Sequence, residues 1–398
     1  MSLPSLRLKS NADRRLRSGH LWLYSNEIDS KLSPLSDFKV GDQVIVETAS
    51  GKPMGVAVMS PHTLVCARIV SRETEHRLDK SLLVHRLNIA LSLRERLFTA
   101  PFYRLVHGEG DLLPGLEVDR FGDIVVVHIT AACMEPHKDI ILEALLQVCK
   151  PTGVLWRNDA NTRDAEGLER YLEVAYGEVP EWVQLLENDL VFVAPLLQKK
   201  TVGWHFDQRF NRLQAAVYCT DKRVLSVYSD VGSWAIPAAL AGATQVLCAD
   251  ASAQALDALE QNAQLNDIGE TLLCAEGDVL ETLQALKADE ERFDVIIVDP
   301  PAFIKRKKDL KTGEAGYRKV YEHCIRLLSR DGILICSSRS PFFTEDSMHS
   351  TLLAAARHLD RNIQILEQSG QSADHPMHPA IPETRHLKYS VCRILPNS

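Results

Sequence analysis

From about residue 195 onward, apolar runs of strand length alternate with amphipathic stretches of helical period. The runs are "RVLSVYS", "QVLCAD", "TLLCAEGD", "DVIIVDP" and "GILICSS"; stretches such as "ASAQALDALEQNAQLN" and "AGYRKVYEHCIRLLS" separate them. Successive parallel strands cannot be joined by tight turns and need a crossover, normally a helix. The alternation therefore predicts an α/β fold with a doubly wound sheet covered by helices on both faces. Two later segments, "NIQILEQ" and "HLKYSVCRIL", read as an antiparallel close to that sheet, giving seven strands, most of them parallel. In such sheets ligands sit outside the carboxyl ends of the strands, where the strand order reverses.

The rest of the chain is organised differently. At 398 residues it exceeds one ordinary core. Residues 1–75 contain short alternating strands ("DQVIVETASGKPMGVAVMS", "TLVCARIVS") and read as a small β module. Residues 76–190 are mixed: "KSLLVHRLNIALSLRERLF" has helical spacing, and "LLPGLEVDRFGDIVVVHI" reads as a hairpin turning at Arg120–Asp123. Residues 191–398 form the third, doubly wound region. Near the N-terminus Arg7, Lys9, Arg14, Arg15 and Arg17 face a single acid, Asp13, with Trp22 and Tyr24 close behind. Arg14 and Arg15 are candidate RNA contacts; a solvated basic face over core aromatics is the competing reading.

Charge and cysteine usage narrow the function classes. A net charge of −8 argues against coating nucleic acid by bulk electrostatics but allows a local basic face. No run approaches the roughly 20 apolar residues of a membrane span, and the first residues lack the apolar segment of a signal peptide. The nine cysteines are dispersed with no CxxC pair, which disfavours a disulfide framework or a zinc site and fits a reducing cytoplasm. No metal is expected.

The strand ends carry the chemistry. After the first strand, "SVYSDVGSWA" offers Ser229 and Gly232 at a turn where backbone can approach a ligand before a helix begins. It is not the GxGxxG fingerprint, so a nicotinamide dinucleotide is disfavoured. The second strand ends at Asp250, an acceptor-only carboxylate suited to a ribose diol, or alternatively to capping the next helix with Ser252. The third ends at Asp278, able to accept from an exocyclic amine. The fourth ends in Asp299-Pro300-Pro301 and runs into Phe303, Lys305, Arg306, Lys307 and Lys308. Acid, ribose acid, amine acid and glycine turn together form the pattern of an S-adenosylmethionine methyltransferase. Asp299 and the stiff diproline turn would then face a target base, with Phe303 stacking on it and the four cations on phosphates. A solvated loop after a capped strand is the alternative.

With "SGHLWLYSNEI", "GEGDLLPGLEVDRFGD", "DQRFNR", "DVIIVDPPAF" and "ADHPMHPAIPETRHLK" in view, the chain resembles the RlmI-type ribosomal RNA methyltransferases over nearly its whole length. The resemblance implies an N-terminal PUA domain, a central α/β domain and a Rossmann-like catalytic domain. It also implies S-adenosylmethionine as cofactor, large-subunit ribosomal RNA as partner, a cytoplasmic location, no membrane association, and room for a homodimer. By the same resemblance Asp207 and Arg209 lie near the cofactor, Asp250 and Asp278 hold ribose and adenine, and Asp299 lies beside the target base.

The family's reaction methylates carbon 5 of a cytosine, a poor nucleophile that a cysteine thiolate activates by adding to carbon 6. The cysteine position in "ICSSRSPFF" holds Arg339, which stays protonated and cannot add. Cys336 is the nearest thiol, inside a strand where a buried structural role competes with a catalytic one. Ser226, Asp230, Ser233 and the stretch Thr201-Val202-Gly203 also depart from the family pattern. Two readings follow: an rRNA methyltransferase acting on cytosine, and an RNA-binding relative that has lost transfer.

Overall fold

The computed structural model describes residues 3–198 and 204–397; Thr201-Val202-Gly203 lie outside them. Packing groups the chain into two units.

The first unit comprises Met1–Val183, Pro195–Phe206 and Ala373–Thr384. It contains two five-stranded sheets. One orders Ser5–Arg7, Gln43–Glu47, Pro53–Met59, Val65–Ser71 and Trp22–Tyr24 side by side, with the first pair parallel. The other orders Tyr171–Gly177, Gly153–Asn158, Ile124–Ile129, Leu116–Phe121 and Phe102–His107. Helices Lys80–Leu97 and Lys138–Cys149 accompany this second sheet. The predicted hairpin turns at Gly122, whose φ of +64° suits a residue without Cβ.

Packing continues across the boundaries drawn on the sequence. Val56, Val58 and Val70 of the β module bury into one core with Leu83, Leu105 and Val125, so the boundary near residue 75 crosses continuous packing. Residues 373–384, assigned by sequence to the third region, pack with the first unit. Arg94, fully buried, is gripped by Asp111 at 2.6 and 2.7 Å and donates at 2.7 Å to the Asp374 carbonyl. The Asp374 carboxylate in turn accepts from the Arg104 amide at 2.9 Å. A charge buried this deeply is tolerated only when so fully paired, and these bonds tie the segment down.

The second unit comprises Gln184–Ala194, Asp207–Ser372 and Arg385–Ser398. Its sheet has strands β1 (Arg223–Val227), β2 (Gln245–Asp250), β3 (Leu272–Glu276), β4 (Phe293–Val298), β5 (Leu328–Ser338), β6 (Arg361–Ser369) and β7 (Lys388–Pro396). They lie in the order β3-β2-β1-β4-β5-β7-β6. β1 to β5 pair in parallel, and β7 is antiparallel to both of its neighbours. The helices are α1 (Arg209–Ala216), α2 (Ala235–Leu240), α3 (Ala253–Leu265), α4 (Val279–Ala288), α5 (Leu310–Leu327) and α6 (Glu345–His358). Every strand read from the sequence is present, and the sheet is mostly parallel as expected. Two cores sandwich it: Trp234, Leu256, Leu259, Tyr389 and Val391 on one face, and Leu283, Tyr317, Tyr321, Leu334 and Leu352 on the other. Strand order reverses between β1 and β4, which places the ligand crevice at the ends of β1, β2 and β4.

Candidate active site

The turn after β1 is built from left-handed residues. Tyr228, Asp230 and Gly232 have φ of +62°, +46° and +87°. Two of these carry side chains, and the conformation costs each of them about 1 kcal/mol or more. The amides of Tyr228 and Ser229 bond to the Ala249 carbonyl at 3.0 and 3.2 Å, and the Asp230 amide bonds to Asp250 Oδ2 at 2.9 Å. A Cβ on Gly232 would meet Leu259 Cγ at 2.8 Å, so glycine is what lets this turn seat on α3. Ser229 is buried and gives its hydroxyl to the Ser226 carbonyl at 2.9 Å, behind the turn.

Asp250 and Asp278 line one hollow of about 600 Å³ with Tyr228, Phe303, Gly313 and Lys319. Asp250 Oδ1 takes the Ser252 amide at 3.0 Å, and Ser252 itself caps α3. Asp278 caps α4 through Oδ1 alone, from Leu280 N and Glu281 N at 2.9 and 3.1 Å. Its Oδ2 has no partner among the described residues and remains an acceptor at the hollow. Phe303, expected on the sequence to stack on a target base, is in the wall of this same hollow. Its ring lies 4.7 Å from Tyr317 and edge-on to Tyr228 at 6.4 Å. Tyr228 and the two α5 glycines were missed by the sequence reading. A Cβ on Gly313 would meet Ile304 Cγ1 at 2.2 Å, so the pair Gly313/Gly316 is the signal that another chain segment presses on this helix.

Asp207 and Asp299 belong to a second cluster, organised by Arg339. Arg339 Nε and Nη2 reach Asp207 at 2.9 and 3.3 Å, and its Nη1 reaches Asp299 Oδ1 at 3.1 Å. Asp299 further accepts from the Trp234 indole at 3.0 Å, from Gln208 at 3.4 Å and from the Ser337 hydroxyl. His386 Nε2 lies 3.0 Å from Asp207. Burial pulls the Arg339 pKa down, but Asp207 and then Asp299 outweigh it and hold the guanidinium more firmly protonated than usual.

The loop that carries Arg339 is rigid. Ser338 and Ser340 both bond to the Tyr317 hydroxyl at 2.8 Å, and buried Lys388 donates to the Ser340 carbonyl at 2.6 Å. Arg209 is buried with its guanidinium 3.6 Å from Glu187. Cys336 is 1% exposed, in register with Val298 on β4, its Sγ 3.6 Å from the Ser390 carbonyl. Burial, then Cys392, pushes its thiol pKa well up, the opposite of what a nucleophile needs.

The basic residues divide. Lys305, Arg306, Lys307 and Lys308 are all exposed, with Arg306 bonded to Asp309 at 2.9 and 3.2 Å. In the first unit Arg15 is committed to Glu27, at 2.9 Å to both oxygens, and lies 4.5 Å over the Tyr24 ring. Arg14 donates to Asn11 Oδ1 at 3.4 Å, its one side-chain bond among the described residues. Among the described residues no His, Cys, Asp and Glu cluster is arranged for a metal ion, and no helix is long and apolar enough to cross a membrane.

Residues 6–72 match the family described as PUA-like domain, and residues 207–363 match that described as Conserved hypothetical protein 95. The chain is 31% identical over 398 residues to the ribosomal RNA large subunit methyltransferase I of Aliivibrio fischeri, covering 98% of this chain and 99% of that one. It is 32% identical over 395 residues to the protein of the same name from Yersinia pseudotuberculosis, with 98% of each covered. The chain belongs to this methyltransferase family. Solved structures agree at the level of fold. One described as a SAM-dependent methyltransferase from Streptococcus mutans superposes with a TM-score of 0.83 at 19% identity, covering 98% of this chain and all of that one. A methyltransferase complexed with SAH superposes at 0.84 and 20% identity, covering 99% and 100%.

Proposed function

We propose that this chain binds S-adenosylmethionine and methylates a base, by resemblance a cytosine, of large-subunit ribosomal RNA in the cytoplasm. The hollow between Tyr228, Asp250, Asp278 and Phe303 carries the proposal. Its residues fit an adenosine: aromatic walls, a carboxylate at the end of β2 for the ribose, and an unpartnered Asp278 oxygen for an amine. When bound, the cofactor supplies an electrophilic methyl group on a sulfonium. The chain's own part is to hold the adenosine end, exclude water with Tyr228 and Phe303, and orient the base beside Asp299. Lys305, Lys307, Lys308 and, in the first unit, Arg14 supply phosphate contacts.

One observation favours a second reading. Transfer to carbon 5 needs a thiolate, yet the thiol position is an arginine ion-paired to Asp207 and Asp299, and none of the nine cysteines lines the hollow. On that reading the chain keeps its RNA-facing surface and has lost transfer activity.

Calorimetric titration with S-adenosylmethionine, wild type against Asp250→Ala, tests the cofactor site. Micromolar binding that weakens at least tenfold supports it. Nucleoside mass spectrometry of ribosomal RNA from a deletion strain then separates the readings. A lost 5-methylcytosine establishes the transferase; an unchanged set of methylated bases establishes the second reading.

A further inference from the structure

From Lys305 to Arg326 the chain carries eight basic residues against three acids (Asp309, Glu314, Glu322), in a protein whose net charge is −8. Only the first four belong to the loop after β4. The rest lie on α5, where Lys311, Arg318, Lys319 and Arg326 recur at seven- and eight-residue spacing and so share one face. Lys311, Arg318 and Lys319 are exposed. Arg318 and Arg326 both lean on Glu322, at 2.8 and 3.8 Å; Lys311 and Lys319 have no salt bridge among the described residues. An 18-residue helix extends about 27 Å. It borders the hollow at Gly313, Gly316 and Lys319, and its last turn reaches a separate hollow of about 470 Å³.

That second hollow is lined by Leu283, Gln284, Lys287 and Ala288 of α4 and by His323 and Arg326 of α5. His323 Nε2 lies 3.3 Å from Gln284 Nε2, and its Nδ1 is buried without a hydrogen-bond partner among the described residues. Lys287 and Arg326 close the last turns of their helices, where cations complement the negative end of the helix dipole. The dipole does not explain Lys305, Lys307, Lys308 and Lys311. They crowd the positive end of α5, where cations oppose the helix dipole and repel one another. A polyanion running over the whole face would reward both sets.

We propose that this face is a phosphate track. The sugar–phosphate backbone of the bound RNA runs from the loop after β4 along α5 and seats a phosphate in the hollow of Lys287, His323 and Arg326. The track rests on the RNA-modifying reading but is tested apart from catalysis.

The test is fluorescence anisotropy of a labelled RNA hairpin, and of deproteinised large-subunit rRNA as competitor, across a salt series. Lys287→Gln/Arg326→Gln is expected to weaken binding about three- to tenfold and to lower the log–log salt slope by roughly 0.7–0.9 for each phosphate no longer neutralised. Lys311→Gln/Arg318→Gln should act alike, with thermal melts confirming that each variant is folded. Unchanged affinity and slope in Lys287→Gln/Arg326→Gln overturns the proposal. So does tight binding of inorganic phosphate by a wild type whose RNA affinity ignores the substitutions, because the hollow would then serve a small anion. Calorimetry with S-adenosylmethionine on the same samples reports on the cofactor site alone. Its failure with the track intact would sink the transferase and leave the track standing.

Discussion

Arg339 Nη1 lies 3.1 Å from Asp299 Oδ1, which puts a paired cation at the position where the resemblance implies a thiolate. The same guanidinium grips Asp207, which makes it a structural tie as well as a chemical departure.

Arg339→Cys therefore does two things. It leaves two largely buried carboxylates facing each other, expected to cost about 3–5 kcal/mol in urea unfolding. It also returns a thiol to the rigid Ser338–Ser340 loop. Where the variant stays folded, it should form a covalent adduct with RNA containing 5-fluorocytosine, visible as a band that survives denaturing electrophoresis. A folded variant with no adduct would mean that the loop does not present position 339 to the base.

Asp278 has two jobs on two oxygens, and they separate by substitution. Serine is as good an N-cap as aspartate, whereas alanine loses about 1 kcal/mol there. Asp278→Ser should keep the melting temperature and weaken S-adenosylmethionine binding about tenfold or more; Asp278→Ala should lower both. Full affinity in the serine variant would remove Asp278 from the site.

The wall of the hollow depends on a helix glycine. Gly313→Ala gains up to about 1 kcal/mol in helix propensity, but its Cβ would lie 2.2 Å from Ile304 Cγ1, an overpacking worth about 1–3 kcal/mol. The clash wins, so net destabilisation and weaker cofactor binding are expected from melts and calorimetry. Gly316→Ala, whose nearest neighbour is Phe303 Cδ2 at 3.4 Å, keeps the propensity gain and should be neutral to stabilising by up to about 1 kcal/mol.

The first unit carries its own acid sensitivity. Asp119 and Glu117 flank Arg104, and although burial would raise both pKa values, Arg104 outweighs it and brings each to about 2. Depressed acids contribute stability that is complete above their unfolded values near 4 and is lost as pH falls toward 2. For buried Asp119 this is on the order of 2 kcal/mol. Asp119→Asn should lower stability at pH 7 and flatten its decline between pH 4 and 2, as read by urea titrations. An unchanged slope would count against the coupling.

Much of this was legible in the residues. Apolar runs such as "DVIIVDP" must be buried on both faces, so strand positions, the mostly parallel sheet and the acids at strand ends followed from pattern alone. Side-chain partners did not. Arg209 could face a cofactor or an acid, and only the fold brings Glu187 against it. Phe303 read as a base-stacking residue because sequence cannot say which wall a loop aromatic completes; Tyr228 and Tyr317 decide that. The return of residues 373–384 to the first unit rests on Arg94 and Asp374, 280 positions apart, a separation no local pattern encodes. Arg339 was visible as a departure, but its clamp on two acids was not.

Eight of the nine cysteines are buried and Cys274 is half-buried. The native chain is accordingly almost silent to maleimide dyes. A single cysteine engineered on the exposed face of α5 would label selectively without first stripping the others, giving a ready-made spectroscopic reporter of RNA arrival.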